Sequence, residues 1–238
     1  MAESALLFLA AFAASAISGA SGFGGALLLL PVLVSVIGAT QAVPLLTVVQ
    51  LIGNLSRVGF GFRQISWKPV GLFLLGAVPL SICGAISFVH LPKESIIRVI
   101  GAAILLFVLL TQFGLLKMKS GPALLICSGG VVGFVSGMVG SAGPLGAAIF
   151  LSLGLPPVAY IASEATTALA MHGVKTIVYG QYIPFSKDFW FLAAILSLAV
   201  ILGTWLSNRI IGRLPQKLFQ RFVAVLLIAI ALYMIIFG

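Results

Sequence analysis

Charge is what this sequence has least of. Thirteen Lys and Arg and four Asp and Glu make up 7 % of its 238 residues, against roughly 25 % in soluble domains. Hydrophobic residues reach 61 % and the mean hydropathy is +1.27, so the polar groups are too few to cover a water-facing surface. That composition excludes a soluble globular protein. The acids Glu3, Glu94, Glu164 and Asp188 and the histidines His90 and His172 are scattered along the chain. No metal or nucleophile constellation assembles from them, which argues against an integral-membrane enzyme acting on lipid or quinone and implies no cofactor. Cysteine is nearly absent too. Cys83 and Cys127 both fall inside apolar segments, where they read as buried structural thiols and not as a disulfide framework. The net charge of +9 is not gathered into a basic domain, so nucleic acid is not the expected partner.

What is present in quantity is long apolar sequence without alternation, which selects membrane helices over a barrel. Apolar segments fall at 5–20, 24–37, 41–62, 69–89 and 95–116, and again at 121–138, 144–154, 157–180, 188–208 and 218–237. Residues 5–14 resemble the apolar core of a secretion signal, but the only early charge is Glu3 and the segment has a mid-chain counterpart. It is therefore expected to remain in the mature protein.

The two series are related. A shift of 118 lays ISGASGFGGAL (17–27) on VSGMVGSAGPL (135–145), with five of eleven positions identical. Each copy is followed by a short glycine-containing loop, around Gly38 and Gly154, and then by a helix with a polar stripe. Each stripe ends in a cation, Arg57 or Lys175, and the next segment opens on an aromatic, Trp67 or Phe185. The expected organisation is one membrane repeat over 1–118 and a second over 119–238.

Charge placement orients the halves. If each glycine-broken opening (5–37 and 121–154) is a hairpin with an even number of crossings, the second half is inverted. One side then receives Arg57, Arg63, Lys68, Lys117, Lys119, Arg209, Arg213, Lys217 and Arg221, and the other only Lys93, Arg98, Lys175 and Lys187. Single-crossing openings would split the basic residues nearly evenly and leave no orientation signal. The positive-inside rule thus selects an all-α polytopic protein of the cell membrane, with two inverted-topology repeats and both termini extracytoplasmic. Both ten full crossings and six crossings plus two re-entrant hairpins satisfy that rule. Trp67, Trp190 and Trp205 lie near segment ends, as interfacial anchors do.

The opening helices are short, about 24 and 21 Å at 1.5 Å per residue, against a hydrocarbon core of about 30 Å. They read as Gly-broken half-helices meeting inside the protein, which is the best sequence pointer to a transporter site in an inverted repeat. A helix that starts inside the membrane offers N–H groups and the positive end of its dipole to an anion. Glycine lets the backbone approach closely. Gly22, Gly24 and Gly25 with Ser21, and Gly140 and Gly143 with Ser141, are the candidates. Tight helix packing is the competing reading of these glycines.

The polar stripes follow. Thr47, Gln50, Asn54 and Arg57 recur at i, i+3, i+7 and i+10, and Glu164, Thr167, Met171 and Lys175 share one face with His172 at its edge. Polar groups in lipid usually face a bundle interior or an aqueous cavity. Gln50, Asn54, Arg57, His172 and Lys175 are therefore candidate substrate-binding residues. For Arg57 and Lys175, near helix ends, snorkelling to the interface is an equal reading. Glu164 lies deeper, as an ion-pair or hydrogen-bond partner of Lys175 or His172, or as the proton carrier of a coupled transporter.

The openings SGASGFGGALLLLPVL (18–33) and SGMVGSAGPLGAAIFLSLGLPP (136–157), with RQISW at 63–67, resemble the TauE/SafE sulfite exporter family over essentially the whole chain. The resemblance implies transport of sulfite or a sulfur-containing organic anion such as sulfoacetate, coupled to the proton gradient. The sequence departs from that family's GxGGG, reading GFGGA in the first copy and GSAGP in the second. A passive anion channel and a membrane scaffold are the competing functions. The partners expected are a small anion, the lipid bilayer and protons, with the oligomeric state open and a homodimer compatible.

Overall fold

A computed structural model describes residues 2–18, 25–90 and 121–210, with single positions between 102 and 109 and between 225 and 236. The expected segments 95–116 and 218–237 lie largely outside the described residues. Within them the secondary structure is entirely helical. The helices are α1 (Ala2–Ser18), α2 (Ala26–Gly61), α3 (Trp67–His90), α4 (Pro122–Val139), α5 (Gly143–Ser152), α6 (Pro157–Tyr182) and α7 (Lys187–Ile210).

Glycine and proline set the helix ends. Gly25, at φ +67°, opens α2, and Leu28 and Leu29 donate their N–H groups to its carbonyl. The expected loop around Gly38 shrinks to one residue: Gly38 alone is non-helical (φ +72°, ψ 157°), so α2 has two limbs joined at a kink. Pro122 and Pro157 sit in the first turns of α4 and α6, where a missing N–H leaves no hydrogen bond unmade. Gly140, at φ +81°, closes α4 in the left-handed conformation.

Helix pairing follows from side-chain size. Gly129, Gly133 and Gly137 recur every fourth residue on α4, one face of the helix. A Cβ on Gly133 would lie 2.2 Å from the Ala77 carbonyl oxygen of α3, so the two backbones are in direct contact. In the same way α1 packs against α7, with Gly203 facing Ser15. Helices α2 and α6 pack on each other, α3 also packs on α6, and α2 on α7.

Four helices are long and apolar enough to cross a bilayer among the described residues. The more polar α6, 26 residues long, is not one of them because it buries Ser163, Glu164, Thr167, His172 and Lys175. Trp67, Trp190 and Trp205 are at least half exposed. Contrary to the sequence reading, Cys83 and Cys127 are exposed and not buried, because lipid accommodates an apolar side chain on the outside of a helix as readily as the core does. The chain is a multi-pass helical membrane protein.

Candidate functional site

The polar stripes of α2 and α6 turn inward together. Thr47, Gln50, Asn54 and Arg57 on α2 are all at most 5 % exposed, as are Glu164, Thr167, Met171, His172 and Lys175 on α6. This removes the snorkelling reading, because a snorkelling head would sit at the surface. Arg57 meets Glu164 with Nη1 and Oε2 3.9 Å apart. Glu164 therefore faces the cation of the other half, not Lys175 of its own helix.

Around this pair lies a cavity lined by Gln50, Asn54 and Arg57 from α2, Val132 and Ser136 from α4, and Ser141, Ala142, Gly143 and Gly146 at the start of α5. Glu164, Ala168, Met171 and His172 of α6 complete the wall. Its volume is about 10 Å³, room for a single water molecule. The Nδ1 of His172 is buried without a hydrogen-bond partner among the described residues, so a polar valence at the wall is left for whatever enters.

The break between α4 and α5 supplies another part of the wall. After Gly140 the chain passes through Ser141 and Ala142, and Ala142 O accepts the N–H groups of Leu145 and Gly146 at 3.0 and 3.2 Å. The Ser141 hydroxyl oxygen accepts the Gly143 N–H at 3.4 Å. The ten-residue α5 thus points the positive end of its dipole at the cavity.

Lys175 is placed differently from its sequence neighbours. It is fully buried, yet it does not line the cavity. Its Nζ donates to Ser136 Oγ at 2.7 Å, Gly140 O at 2.8 Å and Ser136 O at 3.1 Å. One turn further on, the Tyr179 hydroxyl donates to Gly137 O. The Thr47 hydroxyl, bonded to Val43 O at 2.9 Å, also reaches Gly140 O at 3.5 Å.

Of the residues expected from sequence, the structure gathers Gln50, Asn54, Arg57, Ser141, Gly143, Glu164 and His172 on one cavity. Gly140 stands behind the wall and closes a helix where a helix opening was expected. Gly25 opens α2 but is not part of the wall. Ser21, Gly22 and Gly24 lie outside the described residues. Sequence reasoning missed Ser136, although its identity with Ser18 across the repeat was a usable signal.

Helices that bury a cation, an acid and two amides around one cavity mark a membrane protein that handles a polar solute inside the bilayer. Residues 7–234 match the model of the family described as sulfite exporter TauE/SafE. The chain belongs to that family, a family of membrane transporters of sulfur-containing anions. No curated protein and no solved structure matches it.

Proposed function

We propose that the chain is a secondary transporter of a small sulfur oxyanion, sulfite or an organic sulfonate such as sulfoacetate, which binds in the α2–α6 cavity. The observation that carries this reading is a buried Arg57 lining the same cavity as the N-terminal end of α5. Guanidinium and helix dipole both favour an oxyanion there. Gln50, Asn54, Ser141 and His172 supply the remaining polar contacts, and the Gly143 backbone permits close approach. In the closed state the Glu164 carboxylate stands where the anion's charge belongs, 3.9 Å from Arg57. A proton arriving on Glu164 frees Arg57 for the anion, which couples the two.

A one-water cavity is too small for an anion of four or more non-hydrogen atoms. Transport therefore requires the walls to part, which fits alternating access and disfavours a standing pore. The helix contacts support an exchange-symmetric arrangement of the two repeats. Swapping the halves turns α1 on α7 into α4 on α3, turns α2 on α7 into α6 on α3, and leaves α2 on α6 unchanged. With the distribution of basic residues, we take the repeats to be inverted, with both termini extracytoplasmic in the cell membrane. The kink at Gly38 and the break at Gly140 favour the broken openings of that scheme.

The test is uptake of radiolabelled sulfite into proteoliposomes, with and without an imposed proton gradient, against sulfate, thiosulfate and sulfoacetate. Gradient-dependent flux, abolished in Glu164→Gln while sulfite counterflow persists, is the expected result. Flux indifferent to the gradient would mean a channel, and no flux of any tested anion would overturn the proposal.

A further inference from the structure

The end of α4 is a set of converging oxygen acceptors, and a cation of the chain itself occupies it. The last carbonyls of a helix have no intrahelical donors and carry the negative end of its dipole. In broken membrane helices such carbonyls form sites for free coupling cations. Here Ser136 O, Ser136 Oγ and Gly140 O surround the Lys175 ammonium at 2.7–3.1 Å, using all three of its donors. Tyr179 takes the adjacent Gly137 carbonyl. Nothing of the ammonium faces the cavity or the surface.

We propose that the C-terminal end of α4 is a monovalent-cation cage of the ammonium class, and that Lys175 is a tethered cation filling it permanently. Lys175 is on this account a positioning residue. It holds Gly140, and with it the Ser141–Gly143 turn that begins α5, in register against α6. The cage also makes a free metal cation unnecessary at this helix end, since its charge and donors are already satisfied. A free ammonium ion enters the cage once the tether is cut. This holds whichever ion the neighbouring cavity carries, and its readout is folding.

The test compares Lys175→Ala, which empties the cage, with Lys175→Met, which fills the space without charge or donors. Each is purified in detergent and its thermal unfolding followed in ammonium chloride, propylammonium chloride and tetramethylammonium chloride. The last is a cation without N–H donors and controls for ionic strength. For Lys175→Ala, ammonium or propylammonium is expected to raise the midpoint with the logarithm of its concentration, by roughly 3–6 °C at tenfold above the dissociation constant. The wild type and Lys175→Met are expected not to respond. Equal responses to all three salts would overturn the proposal, and so would a Lys175→Ala protein indifferent to them. If Lys175→Ala is recovered folded only when purified in propylammonium, the cage is supported; if no salt recovers it, the cage is refuted.

Discussion

The Arg57–Glu164 pair lends itself to a double-mutant cycle. At 3.9 Å, two unit charges attract by about 4 kcal/mol at an effective dielectric near 20. Both groups are buried, at 5 % and 3 % exposure, so solvent screens them little. Removing one partner leaves the other charged and desolvated, at a cost of about 3–5 kcal/mol. Arg57→Met alone and Glu164→Gln alone are each expected to destabilise the protein by that order. The double variant loses the attraction but also both desolvation penalties, so its loss should fall short of the sum by about 4 kcal/mol. Unfolding in mixed micelles with rising SDS fraction measures all four proteins. Additivity within about 0.5 kcal/mol would mean that the two groups do not interact, and Glu164 could then not stand in for the anion.

The helix seam, the Gly38 kink and the repeat each give a further prediction. Gly133→Val should leave little folded protein in detergent, because even its Cβ would lie 2.2 Å from the Ala77 carbonyl oxygen; size-exclusion recovery reads this directly. Gly38→Ala meets no atom within 4 Å but must hold φ +72° with ψ 157°, so a loss of about 1–3 kcal/mol in the same micelle assay is expected from backbone strain alone. Replacing the exposed Cys83 and Cys127 by Ser should be tolerated and give a cysteine-free background. On it, cysteines at Gln64 and Tyr182, 118 apart, should label from opposite sides of the membrane; same-side labelling would sink the inverted repeat.

Much of the helical layout was legible because lipid leaves few choices. Where the backbone must bond to itself, apolar length and glycine breaks locate the helices, and α3, α4, α6 and α7 fall within a few residues of the expected segments. Gly38 was legible as a break but not as a single-residue kink, since Thr40 and Gln41 just beyond it lengthen the apparent interruption into a loop. The stripes on α2 and α6 were legible from periodicity, and the burial of Arg57 and Lys175 followed from it only once snorkelling was removed. What periodicity cannot carry is the partner across the interface. Glu164 and Lys175 share a face of α6, yet one meets Arg57 and the other the end of α4. The cysteines misled for a similar reason: in lipid an apolar segment does not distinguish inward from outward faces, and here both thiols point outward.

The proposed anion site is Arg57, between α2 and α6. Equilibrium binding of radiolabelled sulfite to the detergent-purified protein tests it most directly, in wild type, Arg57→Met and Glu164→Gln. Saturable binding is expected in the wild type. It should be tighter in Glu164→Gln, where the competing carboxylate is gone, and lost in Arg57→Met at matched folding. Binding that survives Arg57→Met with unchanged affinity would place the anion elsewhere and contradict the account.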